Sequence, residues 1–336
     1  MSIERWSDPD AVRRAAAVLG DGARVNAPLG ALTTSRVGGP AAVGFVANDH
    51  ADVQRAGEAA AVSGLQTLIV GRGSNLLVAD RGFEGIALFL GAAYGKVEFD
   101  CLTGTVSAGA SVPLPVLARQ CAAAGIGGLE WAVGIPGSVG GAVRMNAGGH
   151  GSDLAACLID ADVVDLACGT PPTEQRITAA DGELGRAPVG EPVPVDARSL
   201  DLGYRSSGLK PDQLVVRARL HGRRVPVSAA MARISDIVRW RREHQPGGHN
   251  CGSVFLNPPE ESAGARIDRT GLRGLRVGTA EVSRLHANFI VSDPDGAAAD
   301  VVSLIAEIRR RVTETSGVVL QPEVQMVGFD TPPASS

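Results

Sequence analysis

Residues 134–148 read GIPGSVGGAVRMNAG, and residues 68–78 read LIVGRGSNLLV. The first stretch sets Gly134, Gly137, Gly140 and Gly141 among small apolar residues and one proline. Such a run makes a thin wall against which a large flat ligand and a pyrophosphate can lie, because no Cβ intervenes. A buried glycine-rich turn with no ligand is the competing account. The second stretch is a β-prone run, Thr67 to Val70, entering Gly71, Gly73, Ser74 and Asn75. A glycine-rich turn after a strand can aim backbone N–H groups at a phosphate, although a plain structural turn explains it equally well when taken alone. Two such turns in one chain point to one extended ligand. The spacing Gly71-x-Gly73-x-x-Leu76 lacks the third glycine of a dinucleotide fingerprint, so a Rossmann domain loses ground.

Outward from these turns the pattern alternates. A short helix built on Val12 to Leu19 comes first. A strand over 42–47, a helix over 51–63 stopped by Gly64, and strands over 67–70, 86–90, 97–100 and 105–108 follow. Residues 113–124 form a helix with proline in its first turn and Gly125 beyond its end. Strands are expected over 159–166 and 214–220, and residues 167–198 between them hold Pro, Gly and Thr in number and read as loops. A boundary falls near 221–226. Beyond it a helix over 228–242 takes Ser228 as its N-cap. Short strands are expected over 289–291 and 324–327. Val301, Ile305, Ile308 and Val312 recur at helical spacing within 297–315, so one face of that helix packs on a sheet.

Composition narrows the function. The chain has 336 residues, with 44% hydrophobic, 20% charged and 43 glycines, and a net charge of −4. That length predicts two or three subdomains. No basic stripe with interleaved aromatics favours nucleic acid. Arg239, Arg241 and Arg242, and Arg309 to Arg311, cluster late in expected helices, where cations suit the dipole; contact with a substrate phosphate is the sharper account of the first cluster. Five cysteines, Cys101, Cys121, Cys157, Cys168 and Cys251, show neither a Cys-x-x-Cys pair nor an even count. Neither a disulfide framework nor a metal site is therefore expected. With no apolar leader and no run of eighteen apolar residues, a cytoplasmic protein with no membrane partner is the expectation.

Three further spots carry polar groups in short patterned settings: Tyr204 and Arg205 in LGYRSSGLK, Ser253 in NCGSVFLNP, and Glu323 in LQPEVQMVG. A solvated arginine, a turn serine and a strand-end glutamate are each common, so pattern alone reaches only a ligand-binding α+β enzyme.

Taken in order, however, TTSRVGGPA (33–41), GRGSNLLV, GIPGSVGGAVRMNAG, YRSSGLK, GSVFLNP, AGARIDRTGLRGLRVGTAEVSRLHANFIVS (263–292) and LQPEVQMVG resemble the motifs of the UDP-N-acetylenolpyruvoylglucosamine reductases. The match runs over roughly residues 25–328. The resemblance implies an α+β fold in which a two-subdomain FAD-binding unit of the vanillyl-alcohol-oxidase type (1–90 and 91–222) is followed by a C-terminal α+β substrate-binding domain (223–330) and a flexible tail (331–336). The short connection from Arg242 to Gly252 and the form of HANFIVS are similar to the shorter type of the family, which lacks a tyrosine-bearing substrate loop.

The implied activity is NADPH-dependent, FAD-mediated reduction of UDP-N-acetylglucosamine enolpyruvate to UDP-N-acetylmuramate, a step of peptidoglycan precursor synthesis, by a cytoplasmic monomer with non-covalent FAD. Carried over by motif, Arg205, Ser253 and Glu323 are catalytic: a cation for the growing carboxylate charge, a proton donor, and a second stabilising donor that works best when protonated. Arg36, Gly71, Arg72, Gly73, Ser74, Asn75 and the run Gly134, Ile135, Pro136, Gly137, Ser138 and Val139 bind FAD, mainly through backbone. Tyr204, His244, Asn257 and His286 lie on the substrate side, and His286 reads equally as a packed strand-end histidine. Two positions depart from the family: Leu256 stands where a basic residue is common, and His150 where a tyrosine is common. Both leave room for an altered substrate preference. The competing expectations are another flavoprotein oxidoreductase of the same fold, and a non-catalytic binder of flavin or sugar nucleotide.

Overall fold

A computed structural model of the chain describes residues 2–100, 102–167 and 190–329. The expected tail, Cys101, Cys168 and most of the 167–198 stretch lie outside the described residues. Contacts divide the chain into two units: Met1–Asn26, Ala42–Arg72 and Gly85–Arg239 form the first, and Ala27–Ala41, Gly73–Glu84 and Trp240–Ser336 form the second.

The first unit holds two hydrophobic cores. One lies under a sheet of order Arg24–Ala27, Ala41–Ala47, Phe83–Leu90, Gln66–Val70, whose last two strands run parallel from Gln66↔Gly85 to Val70↔Phe89. Helices α1 (Pro9–Leu19) and α2 (His50–Ser63) pack together beside it, and Val12, Leu19, Val43, Phe45, Val53, Ile86 and Leu88 are buried there. Both helices start where a carboxylate caps them. Asp8 accepts from the Ala11 N–H and Asp49 from the Asp52 N–H, and Gly64 at φ 76° closes α2.

The other core lies under an antiparallel sheet of order Val193–Asp196, Leu158–Asp165, Gln213–His221, Thr105–Gly109, Val97–Asp100. The central strand buries Leu214, Val216, Ala218 and Leu220 and exposes Arg217, Arg219 and His221. Its exposed arginines meet Asp162 and Asp160 directly across the ladder, at 2.7 Å for Arg217. Helices α3 (Leu114–Ala123), α4 (Val139–Met145) and α5 (Val227–His244) complete this core.

Three details differ from the sequence-based expectations. Val193–Asp196 is a strand within the stretch read as loops. Helix α5 begins at Val227, so Ser228 sits in its first turn and does not cap it, while the Pro226 carbonyl accepts from Ala229 and Ala230 at 3.0 and 3.2 Å. The division into units also differs from the linear ranges. Ala230, Ile234 and Ile237 of α5 bury in the core of the first unit, so that unit runs to Arg239, past the expected start of a separate domain at 223. Residues 27–41 and 73–84 belong with the C-terminal part of the chain.

The second unit is built on a sheet of order His249–Asn250, Ile290–Ser292, Ala280–Val282, Arg276–Val277, antiparallel throughout. Helices α6 (Ala263–Arg269) and α7 (Ala298–Ser316) pack with it, and α7 buries Val301, Leu304, Ile305, Ile308 and Val312. A parallel pair, Leu76–Val78 with Gln325–Val327, completes the unit.

Candidate active site

In the first unit the two glycine-rich turns meet. A Cβ added to Gly71 would stand 2.4 Å from the Ser138 Oγ, so any other residue here would have to push that hydroxyl aside. Ser138 is buried, caps α4, and accepts from the Gly141 N–H at 3.4 Å. The run read as glycine-rich turn thus contains a two-turn helix. The Ile135 and Val139 amides are committed to the Ala132 and Val112 carbonyls at 3.1 and 3.0 Å. His150 and Gly151, at φ 54° and 88°, form the two-residue turn between Gly148–Gly149 and Ser152–Asp153, as a tight hairpin requires. The His150 ring lies against Gly134, where a Cβ would come within 2.8 Å of it.

Tyr204 and Arg205 are the middle residues of a turn closed by Gly203 and Ser206, which exchange backbone bonds of 3.1 and 3.3 Å. Arg205 sits at φ 57°, a conformation that costs a non-glycine side chain free energy and is held only where the surroundings demand it. Its Nη2 donates to the Gly148 carbonyl at 2.8 Å, and the guanidinium lies 5.4 Å from the centroid of the exposed Tyr204 ring. Arg72 is exposed in this unit.

In the second unit Asn75, Ser253 and Glu323 come together. The extended segment Val254–Leu256 pairs with residues 321–323: the Glu323 N–H donates to the Val254 carbonyl at 2.7 Å, and the Leu256 N–H to Gln321 at 2.9 Å. On its other side Asn288, which is buried, clamps the same segment. Its Oδ1 accepts from the Phe255 N–H at 2.9 Å, its Nδ2 donates to the Phe255 carbonyl at 2.8 Å, and its own carbonyl accepts from Val254 at 2.9 Å. The parallel strand pair carries Asn75 to the same place, where its Nδ2 donates to the Glu323 carbonyl at 3.1 Å. Ser253 is half-buried, next to Gly252 at φ 78°. Burial, with the Glu323 carboxylate adding to it, pushes the Cys251 thiol up to about 12, so this cysteine is an inert neighbour.

The remaining expected residues of the second unit are placed as follows. Gly73 is buried and Ser74 half-buried; a Cβ on Gly73 would stand 2.8 Å from the Thr33 Cα. Arg36 is exposed at φ 54°. Asn257 is exposed and spends its Oδ1 on the Ala263 N–H at 3.0 Å, at the start of α6. His286 accepts at Nδ1 from the Asn288 N–H at 3.2 Å, which puts its proton on Nε2, and its ring stands edge-on to Phe289. Burial first, and then the charge of Arg273, lower its pKa and keep it neutral. His244 stacks on Trp240 at 4.6 Å and bonds the Trp240 carbonyl through Nδ1.

Sequence reasoning missed Thr34, Asn146 and Asn288. The Thr34 Oγ1 is buried with no partner among the described residues, while its backbone bonds Gly73 and Asn250 at 3.3 and 3.2 Å. An unpaired buried hydroxyl costs on the order of 1–3 kcal/mol. It marks a place where a ligand acceptor or donor belongs. Beside Gly73, whose carbonyl takes the Thr34 N–H, this hydroxyl fits a bound group rich in hydrogen-bonding atoms, as FAD is. A threonine pair ahead of a glycine-rich turn was the only available signal. Among the described residues no cluster of three or more His, Cys, Asp or Glu could hold a metal ion, and no helix is long and apolar enough to cross a membrane.

Comparison with known proteins agrees with this arrangement. Residues 40–171 match the FAD binding domain, and residues 244–327 match the C-terminal domain of UDP-N-acetylenolpyruvoylglucosamine reductase. Proteins of that name from Synechococcus sp. (strain CC9311) and Chloroflexus aggregans are each 40% identical to this chain. The aligned residues span 90% of it and 93% and 97% of theirs. The crystal structure of UDP-N-acetylenolpyruvylglucosamine reductase from Thermus caldophilus superposes with a TM-score of 0.73 at 34% identity, covering 91% of this chain and 99% of that one. The fold is accordingly the expected α+β arrangement of an FAD-binding unit with a C-terminal domain. The chain belongs to the UDP-N-acetylenolpyruvoylglucosamine reductase family and is an FAD-dependent oxidoreductase.

Proposed function

We propose that this chain reduces UDP-N-acetylglucosamine enolpyruvate to UDP-N-acetylmuramate at the expense of NADPH, in peptidoglycan precursor synthesis, as a cytoplasmic monomer. The observation that carries this reading is the extent of the family match, 40% identity over 90% of the chain, with Arg205, Ser253 and Glu323 all standing in its motifs. Bound FAD would supply the redox chemistry, transfer of a hydride from NADPH to the outer carbon of the enol ether.

The protein's own groups answer for the charge and the proton. As the carbon–carbon bond is reduced, its electron pair moves to the inner carbon and spreads into the carboxylate. Arg205 meets that carboxylate as a fixed cation; its bond to Gly148 and its place beside Tyr204 support a pre-organised role. Ser253 Oγ delivers the proton to the inner carbon. A serine is a weak acid, so the step requires a strongly basic carbanion and a site that excludes water. Glu323 in its protonated form shares the stabilisation of the carboxylate, since an ionised side chain would repel it. Arg36, Arg72, Gly71, Gly73 to Asn75 and the turn 134–139 would hold FAD, and Thr34 would join them on the strength of its orphaned hydroxyl. Tyr204, His244, Asn257 and His286 serve the sugar nucleotide, with the His286 Nε2–H as a neutral donor.

An anaerobic visible spectrum tests the proposal. Flavin absorbance should bleach on addition of NADPH and return on addition of the enolpyruvyl sugar nucleotide. Bleaching without return would move the substrate elsewhere, and Leu256 and His150 are the positions to change first. A protein that takes up no FAD would overturn the reading.

A further inference from the structure

An arginine has four rotatable side-chain bonds, and a charge that must meet one carboxylate needs something to aim it. We propose that Asn146 is the positioning residue for Arg205, an inference that rests on the reading of Arg205 given above.

Asn146 ends α4 at φ 38° and is 4% exposed. Both ends of its amide are engaged: Nδ2 donates to the Gly203 carbonyl at 2.8 Å, and Oδ1 accepts from the Ala155 N–H at 2.9 Å. The Gly203 carbonyl belongs to the turn that presents Tyr204 and Arg205, and it also accepts from the Ser206 N–H. Two residues after Asn146, the Gly148 carbonyl takes the Arg205 guanidinium. The stretch 146–148 thus grips Arg205 twice, by the backbone of its turn and by its charged head. Two further bonds tie the same segments, Ser207 Oγ to the Arg144 carbonyl at 2.7 Å and the Arg144 guanidinium to the Lys210 carbonyl. Because α4 is the helix capped by Ser138, the grip on Arg205 is built on the same helix that carries the glycine-rich turn at its start.

The residue type follows from these demands. The position needs a left-handed backbone, a donor toward Gly203 and an acceptor toward Ala155. Asparagine meets all three. Aspartate keeps the shape and the acceptor but turns an oxygen toward the Gly203 carbonyl. Glycine keeps the backbone and loses both bonds.

The test compares Asn146→Asp and Asn146→Gly, each alone and combined with Arg205→Lys, in the FAD-loaded enzyme. The two half-reactions are followed separately by anaerobic stopped flow. A misplacement of about 1 Å can cost on the order of 100-fold in rate. Reoxidation by the enolpyruvyl sugar nucleotide should therefore slow by about 10- to 100-fold in the Asn146 variants. Reduction by NADPH and FAD content per protein should stay within about twofold. In the Arg205→Lys background the same substitutions should cost less than about twofold, the non-additivity of residues that act through one group. Equal losses in both half-reactions, additive losses in the Arg205→Lys background, or failure of both variants to fold with FAD would each make Asn146 a stability residue and overturn the inference. An Arg205→Lys enzyme that reoxidises at the normal rate would instead remove the role of Arg205 itself. Slow Arg205→Lys beside normal Asn146 variants sinks the inference alone.

Discussion

Ser253 is the residue on which the chemistry turns, and its surroundings suit a donor. Its neighbour Val254 is held from both sides, by Asn288 and by Glu323, so the serine is placed by backbone rather than by bonds to its own hydroxyl. Removing that hydroxyl should leave reduction by NADPH intact and slow reoxidation by the sugar nucleotide by roughly 100- to 1000-fold, the usual loss for one pre-organised donor, about 3–4 kcal/mol. Stopped-flow traces of Ser253→Ala decide it, and equal slowing of both half-reactions would remove the assignment. For Glu323 the expectation is the reverse. Glutamine reproduces a protonated carboxyl as a neutral donor, so Glu323→Gln should keep most of its turnover, and an inactive variant would show that the ionisable group itself is needed. The chemistry of these residues was legible because they sit in short, characteristic runs. Asn146 and Asn288 were not. Their partners lie 57 and 33 residues away, and an asparagine's role is set by what its two amide ends meet after folding.

Among the elements, α7 shows how far local pattern reaches. Its apolar stripe at Val301, Ile305, Ile308 and Val312 is plain in the sequence, and the helix buries it. Its start is not plain, because Ala297 supplies no side-chain cap. The cap comes from Asp80, whose two carboxylate oxygens accept from the Ala298 and Ala299 N–H groups at 2.8 and 2.9 Å across 218 and 219 residues of sequence. Asp80→Ala should therefore lower stability by about 1 kcal/mol, the usual worth of an N-cap, read as a drop in Tm with turnover at low temperature preserved. Helix α4 was hidden by its glycines, which are poor helix formers on average but here let a neighbouring segment close in: Gly140 stands 2.9 Å, at its would-be Cβ, from the Ala110 Cβ. Strand Val193–Asp196 was hidden by Pro194 and the proline-rich run around it; a strand at the edge of its sheet tolerates proline. The Gly71–Ser138 contact yields a sharper expectation. Gly71→Ala drives a Cβ against the capping hydroxyl, so it should weaken FAD retention and lower Tm. In a Ser138→Ala background the same change should do little further harm, since the atom it strikes is gone; an undiminished penalty there would mean that Gly71 is needed for its backbone alone.

At the scale of the whole chain, the reading in terms of consecutive ranges met a fold that is not consecutive. The chain enters the second unit three times, at Ala27, Gly73 and Trp240, and hydrophobic periodicity carries no information about such returns. What periodicity does foresee is which faces bury, and what it cannot foresee is which titratable groups their folded neighbours will disturb. Those groups set the response to acid. His286 has its pKa lowered from 6.5, chiefly by burial and then by Arg273, so the folded chain takes up this proton at a lower pH than the unfolded chain does. The unfolded state binds more protons below about pH 6.5, and stability therefore falls as the pH drops through that value. The carboxylates act later and with the same sign. Hydrogen bonds from Arg310 and Arg311 hold Glu307 at about 2 against its usual 4.5, Arg276 lowers Asp293, and the Thr279 backbone and hydroxyl lower Asp300. Each contributes stability above its unfolded pKa that disappears as pH falls through its folded one. Urea titrations from pH 8 to pH 3 should accordingly show two successive losses of stability, one beginning near 6.5 and one below about 4.5. His286→Gln should abolish the first and leave the second in place, because glutamine has no proton to gain. A first loss that survives the substitution would assign it to another histidine and leave His286 as a packed ring with no titration of its own in this range.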